Sequence, residues 1–386
     1  MNLSFRMFME NNDPFIWNKY TRGIDIQTIE SFLNESSEFG LGAPHKVVDD
    51  EEIQDYIRKR FAGTLSKKER YKMPYVHKSN IKIVDEENNV YDTEALKVLI
   101  KQRPKDLLKQ NEKVSHSGGE TVQYYNIGLP ALRALAVNEK TNQFVIVNTC
   151  PGAGKCQIYC YARKGGYVQW KASSLSQTRI VNFLLNDPEG FKNKLIAEIR
   201  KEKTAKEKKG ISVAIRWHDA GDFFSDPYLK LAYDVAKTFP DVQFYAYTKM
   251  ASVAASEKPN NFIINFSGGA DPAQESQVDF STIKHSKVVD ESLFSDLIYR
   301  DDENKIQYIP DKLSELKKRI ADHYKISKKT ILTYDEWKAK KKPTRMALST
   351  VDDPIKPGPW NVIVKPGDGD ESANSLSVIG TYLLMH

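Results

Sequence analysis

The sequence predicts an α/β protein built on a sheet of parallel strands. Two observations carry that expectation. Short β-branched and aromatic runs alternate with helical stretches at Gln143–Asn148, Ile211–Trp217, Val242–Tyr247 and Asn261–Phe266, and alternation at that pace calls for right-handed crossovers between parallel strands. Each run also ends in chemistry-bearing residues: a cysteine loop, then His218-Asp219-Ala220-Gly221-Asp222, then Thr248-Lys249, then Ser267-Gly268-Gly269-Ala270-Asp271. Parallel α/β folds bind ligands at the carboxyl ends of their strands, so these four ends are expected to meet at one mouth.

Taken in order, Asp49–Phe61 reads as an amphipathic helix, with Ile53, Tyr56, Ile57 and Phe61 at helical spacing and Gly63 as its stop. Asn80–Val90 reads as a short hairpin around Glu87-Asn88-Asn89, Thr93–Arg103 as a helix ended by Pro104, and His116–Glu120 as a linker. After Gln143–Asn148, helices are expected over Ser173–Leu185 and Pro188–Lys201, the second capped by Asp187. Asp226-Pro227 opens a helix through Phe239, with aspartate at the cap and proline at the first helical position. Lys287–Asp290 is a candidate fifth strand. Asp311–Tyr324 reads as a helix, Lys340–Pro343 as a linker, Trp360–Val364 as a strand, Pro366–Ser372 as an acidic turn, and the apolar run Val378–Met385 as a docked terminus. Residues 1–120 are read as an accessory α+β region, 121–300 as the core and 301–386 as an extension packed on it.

At 386 residues, 40% hydrophobic and 28% charged, the chain has the composition of a water-soluble globular protein. No apolar run reaches bilayer-spanning length, and the N-terminus lacks a signal-peptide pattern. Cytoplasm is therefore the expected compartment, with no membrane partner. The net charge of +6 is compatible with an anionic partner, and lysine concentrates at Lys192–Lys209 and Lys338–Lys342. Either cluster reads as a solvated face or as a nucleic-acid-facing patch. Nothing in the sequence sets the oligomeric state.

All three cysteines, Cys150, Cys156 and Cys160, fall within eleven residues. An odd, clustered count is not a secreted disulfide framework. Three thiolates occupy three corners of a metal site and leave one open for chemistry. Pro151, Gly152 and Gly154 are expected to turn the backbone so that amides point at sulfur. Zinc prefers closer cysteine pairs and a fourth ligand, so an iron–sulfur cluster fits the pattern better; zinc and metal-free thiols stay open.

Around this loop, His218 and Asp219 are candidate catalytic groups, with a structural histidine satisfied by Asp219 or a carbonyl as the alternative. Tyr247, with Tyr245 and Lys249 on one side of its strand, is a candidate for base stacking or a radical relay, packing being the plainer account. Arg216 faces away from Trp217 and can pair with Asp222 or a cofactor carboxylate. Ser267 and Gly268 offer a close backbone approach to a ribose or carboxylate. Arg163, Lys164 and Arg179 are candidate anion grips or solvated surface.

The cysteine loop, with Tyr159-Cys160-Tyr161 at its end, resembles the cluster loop of radical S-adenosylmethionine enzymes, although the spacing differs at both gaps. Ala220–Leu229 is similar to the Gly-Gly-Glu-Pro segment of that superfamily. The resemblance implies a partial (β/α) TIM-like barrel, a 4Fe-4S cluster on Cys150, Cys156 and Cys160, S-adenosylmethionine at the open iron, and cofactor contacts from Gly221 and Asp222. A closer resemblance is to the bacteriophage gene-product-eighty-eight type. It runs through Cys150–Ala162, Gly165-Gly166-Tyr167, Arg216–Ser225, Phe244–Lys249 and Asn126–Ala131. Some members of that family carry further cysteines near the C-terminus; this chain has none.

The expected function is radical modification of a nucleotide or nucleic-acid substrate, served by an electron donor. One alternative is a nucleic-acid-binding or regulatory protein with a structural iron–sulfur or zinc site. A second is a metal-dependent hydrolase using His218, Asp219 and Asp222, which leaves the cysteine cluster unexplained.

Overall fold

The computed structural model describes residues 40–384 except 67–68, 70–71, 78–79, 82, 86–89, 111–120, 164–165, 304, 341–357, 367 and 369–371. The expected linkers at 116–120 and 341–343, and the turn at 86–89, lie outside the described residues.

The N-terminal part is a small α+β layer. Strand β1 (His45–Val48) leads into helix α1 (Asp50–Phe61), whose Asp49 cap accepts the Glu52 amide at 2.7 Å. A short antiparallel pair, β2 (Ile83–Asp85) and β3 (Val90–Tyr91), precedes helix α2 (Thr93–Lys101), capped by Asp92. Ile53, Tyr56 and Ile57 of α1 and Leu96 and Ile100 of α2 share one apolar cluster with Leu135, Val137, Phe144 and Ile146 of the next sheet. That shared core welds the accessory layer onto the rest.

The core begins at β4 (Val122–Ile127), which the sequence reading did not assign to a strand. The chain then turns into an antiparallel hairpin, β5 (Arg133–Asn138) and β6 (Gln143–Asn148). The expected parallel strand at 143–148 is therefore corrected: β6 sits between β1 and β5 in a three-stranded antiparallel sheet. A run that is apolar at every position is buried on both faces, and that pattern does not distinguish parallel from antiparallel neighbours. The cysteine loop follows β6, then helices α3 (Lys171–Asn186) and α4 (Pro188–Glu207), and only then β7 (Ser212–Trp217) beside β4.

From β7 the alternation is regular: α5 (Asp226–Thr238), β8 (Gln243–Thr248), α6 (Ala251–Ala255), β9 (Phe262–Ser267) and β10 (His285–Val289). The α5 cap is Ser225, one residue before the expected Asp226, because the Ser225 hydroxyl accepts the Tyr228 amide while Asp226 is already helical. The short pair β11 (Ile298–Arg300) and β12 (Ile306–Tyr308) leads to α7 (Leu313–Tyr324), β13 (Ile331–Thr333), α8 (Tyr334–Lys340), β14 (Trp360–Val364) and β15 (Val378–Leu384). Eight strands form one sheet, ordered β13-β14-β15-β10-β9-β8-β7-β4, with every pairing parallel. The C-terminal extension thus completes the core sheet, and β15 lies in its interior.

The sheet has two unlike faces. On one, Ile215, Trp217, Phe244, Phe262 and Phe266 pack against α3 to α6. On the other, Tyr124, Ala214, Tyr245 and Ile263 form a small cluster joined by Leu376. The lower end of that second face is closed by the segment around 372–376. Gln243 Nε2 donates to the Asn374 carbonyl at 3.0 Å, and Lys284 Nζ donates to the carbonyls of Ser375 (2.9 Å) and Val378.

Lys284 is 6% exposed, and burial pushes its ammonium down from 10.5 to about 7. Below pH 7 both folded and unfolded chains carry this proton, and the folded state bears the full burial penalty. Between pH 7 and 10.5 the folded state has released the proton and the unfolded state has not, so stability rises with pH, by at most about 1.4 kcal/mol per pH unit. Urea titrations of Lys284→Met across this window are expected to lose that rise relative to wild type. An identical pH profile for the two proteins would show that the ammonium is not held in this environment.

Candidate functional site

The carboxyl ends of β7, β8 and β9 and the end of β6 meet at one place, and the cysteine loop lies across them. The loop docks backbone to backbone. Cys156 N donates to Gly269 O at 3.2 Å, Asp271 N donates to Gly152 O at 2.9 Å, and Ala153 and Ala270 form an isolated antiparallel bridge. A Cβ on Gly152 would lie 2.4 Å from Lys249 O, and one on Gly154 would lie 2.2 Å from Ala270 O. Neither glycine has positive φ. Both are required by close approach to two strand ends, and Gly152 also lies in the expected turn, which Ala153 N closes onto Cys150 O at 3.1 Å.

Each thiol sits at a different point of this docked loop. Cys150 Sγ accepts the Leu132 amide at 3.3 Å. Burial, then the neighbouring Asp222 carboxylate, pushes the Cys150 thiol up to about 12, and the Cys156 and Cys160 sulfurs add to the rise. Cys156 opens the short helix Cys156–Tyr159; burial raises its thiol, the Lys249 ammonium lowers it, and Cys160 and Asp222 raise it. Cys160 packs beside Ala131, Ala162, Ala220 and Tyr167. Its thiol is raised by burial against the opposing pull of the Ala162 amide and Arg163. The three sulfurs therefore share one electrostatic neighbourhood, and burial favours the neutral thiol in each. No three His, Cys, Asp or Glu side chains among the described residues stand close enough together to hold a metal ion as placed.

Asp222 is the brace beneath the loop. Its amide donates to Thr149 O at 2.8 Å, its Oδ2 accepts the Lys249 amide at 2.8 Å and its Oδ1 accepts the Phe223 amide at 2.7 Å. Burial pushes its carboxyl up to about 6 against the pull of these amides and the Thr248 hydroxyl. Both oxygens are thus engaged with backbone, tying the ends of β6 and β8 together. Gly221, at φ 84, lets the preceding turn pass Leu129, whose Cβ a Gly221 side chain would meet at 2.7 Å.

His218 is 3% exposed and adopts φ 67, a left-handed conformation uncommon for a side chain of this size. Its Nε2 lies 2.8 Å from the Tyr228 hydroxyl, which also receives Trp217 Nε1–H at 3.0 Å, and its ring stands edge-on to Phe223 at 4.6 Å. Burial, then Arg216, pushes the imidazole down to about 3, so it is neutral. Its Nδ1 has no hydrogen-bond partner among the described residues. Asp219 Oδ2 accepts the Tyr167 hydroxyl at 3.1 Å, linking β7 to the segment after the cysteines. His218 and Asp219 thus point to different partners and form no dyad.

Arg216 Nε donates to His218 O at 3.3 Å, and its guanidinium lies 4.8 Å from the Tyr247 ring centre. Lys249 Nζ donates to Ser267 O (3.1 Å), Ser267 Oγ (3.0 Å) and Gly268 O (2.6 Å), bridging β8 and β9 beside Cys156. Arg179 is taken up structurally by Leu99 O and Gln102, Arg163 reaches Met73 O, and Lys164 lies outside the described residues. Sequence reasoning missed Glu275, whose Oε1 accepts the Gly269 and Ala270 amides at 2.7 and 3.2 Å. It also missed Asn265, although an asparagine inside the apolar run Phe262–Phe266 is itself a signal.

Among the described residues no helix is long and apolar enough to cross a membrane. No solved structure matches the chain. The Gene 88 protein of Mycobacterium phage D29 is 30% identical over 167 residues, which cover 41% of this chain and 62% of that protein. The chain thus spans less than two thirds of the length of that curated relative. The family model described as Gene product 88 matches residues 99–327, a span that holds the docked cysteine loop and every strand end it rests on, and the chain belongs to the Gene product 88 family.

Proposed function

We propose that the protein is an iron–sulfur enzyme in which Cys150, Cys156 and Cys160 hold a 4Fe-4S cluster, with S-adenosylmethionine at the open iron and a nucleotide or nucleic acid as substrate. The single observation that supports this reading is that one loop, pinned across the carboxyl ends of parallel strands, carries all three sulfurs within one another's electrostatic reach. The donor set suits the group. Burial that disfavours a lone thiolate favours one paired with a metal cation, and the Leu132 amide already donates to one sulfur. In this reading the eight-stranded sheet is the open form of a partial barrel, its second face lining the interior.

When bound, such a cluster supplies one-electron reduction of S-adenosylmethionine, whose cleavage gives methionine and a hydrogen-abstracting deoxyadenosyl radical. The chain's own residues supply the setting. Asp222 fixes the floor of the loop through three backbone bonds. Lys249 places positive charge beside Cys156 and holds the β9 end closed through Ser267 and Gly268. Arg216, over Tyr247, offers a guanidinium suited to a carboxylate or phosphate. Neutral His218 orients the β7 end and holds no proton to give near pH 7.

Anaerobically purified protein is expected to be brown and to contain about four irons and four sulfides per chain. Cys156→Ala is expected to lose most of both. With reductant and S-adenosylmethionine the intact protein should release deoxyadenosine and methionine. Colourless protein with one zinc and no sulfide would overturn the reading in favour of a structural site.

A further inference from the structure

The second face of the parallel sheet holds a row of buried polar side chains with atoms that have no hydrogen-bond partner among the described residues. Asn265 on β9 is 1% exposed, and neither its Nδ2 nor its Oδ1 has a partner among the described residues. Ser286 on β10 and Thr381 on β15 are 7% and 3% exposed, and both hydroxyls lack partners among the described residues. Asn126 on β4 is 2% exposed with its Oδ1 unpartnered. Strand register puts them on one face. Tyr247 pairs with Asn265, and Ser267, two residues along β9 from Asn265, pairs with Ser286, which pairs with Thr381. Asn126 pairs with Arg216, and Arg216 with Tyr245. A buried donor or acceptor left unpaired is costly, and native structures hold only a few. Four on one face, at the mouth end of a parallel sheet, indicate partners that arrive with a ligand.

The row also states what the ligand is. The strand residues described on this face include no aspartate or glutamate; its charged groups are Arg216, Lys249 and Lys284. That disfavours a cationic ligand against this face and suits one rich in acceptors. The Asn265 amide presents a donor and an acceptor side by side in one plane. A trans peptide bond points its N–H and C=O in opposite directions and satisfies only one of them. A heterocycle with a donor and an acceptor on adjacent atoms satisfies both, as asparagine does with a base edge. Access is from the strand ends, where Tyr247 and Ser267 are half-buried.

We propose that this face is the recognition surface for a nucleobase, with Asn265 reading its donor–acceptor edge and Ser286 and Thr381 completing the contacts. The proposal deepens the reading of a nucleotide substrate and depends on it only for the reacting centre above.

The test is ligand-observed saturation-transfer NMR on the full chain with adenosine, cytidine, guanosine and uridine, and with ribose and glutamine as controls. At least one nucleoside is expected to bind while both controls do not, and Asn265→Leu should weaken that binding about tenfold or more. Ser286→Ala and Thr381→Val should weaken binding too. Because each removes a hydroxyl that is unpaired in the free protein, each should also raise Tm by a few degrees. Failure of all four nucleosides to bind folded wild-type protein overturns the proposal, as does glutamine binding equally well. A lowered Tm in both hydroxyl variants with unchanged nucleoside binding also overturns it, because the row then serves ordered water. Iron content is scored separately, so the site and the cluster chemistry can each fail alone.

Discussion

Asp222→Ala is expected to cost about 3–5 kcal/mol of folding stability, far more than the loss of one ion pair. Removing the carboxylate strands the amides of Lys249 and Phe223 in a buried site, at roughly 1–3 kcal/mol each, and takes away the acceptor of the Thr248 hydroxyl. Asp222→Asn is expected to fall between wild type and alanine, since one of the two amides then faces an NH2 group. Asp226→Ala, at an exposed position four residues on, should stay within about 0.5 kcal/mol. Urea denaturation of the three variants checks this, and a cost below about 1 kcal/mol for Asp222→Ala would show that other groups hold the loop floor. The same experiment separates two readings of this carboxylate. A residue reserved for a cofactor ammonium affects ligand binding and leaves stability alone, whereas a brace affects stability with no ligand present.

How much of this was legible beforehand follows from what each signal measures. Periodicity and strand-end chemistry placed β7, β8 and β9 within a residue or so, because buried parallel strands leave short, saturated apolar runs. The sheet membership of β6 was not legible. Its partners are set by the Asn138–Gln143 turn and by β1, nearly a hundred residues upstream, and neither leaves a trace in the run itself. β4 was missed because Gln123 and Asn126 interrupt it, yet Asn126 is polar for a reason local propensity cannot express: it faces the sheet's second surface. β15 was read as a docked terminus without its place in the sheet interior.

At the site, the sequence identified most of the residues but few of their attachments. Lys249 stands beside Cys156 and holds Ser267 and Gly268, and Arg216 lies against Tyr247. His218 and Asp219, adjacent in sequence, part company because the backbone turns left-handed at His218, sending one side chain to Tyr228 and the other to Tyr167. Adjacency suggested a pair that backbone conformation prevents.

The glycines of the cysteine loop give the second large effect. Gly154→Ala is expected to cost about 2–3 kcal/mol, because its Cβ would lie 2.2 Å from the Ala270 carbonyl oxygen and 2.4 Å from the carbon, both backbone atoms that cannot swing aside. Gly152→Ala meets Lys249 O at 2.4 Å and should cost a similar amount. Both lesions lift the same loop off β8 and β9. The double variant should therefore cost clearly less than the two single costs added, as coupled neighbours do. Trypsin reports the same event separately, since Lys155 is exposed on the loop and cleavage after it should accelerate in each variant. Strict additivity, with unchanged cleavage at Lys155, would mean that the two glycines act independently and that the loop is not a single docked body. If the loop does dock as one body, the spacing of the three sulfurs is set less by the cysteines than by two positions where no side chain fits.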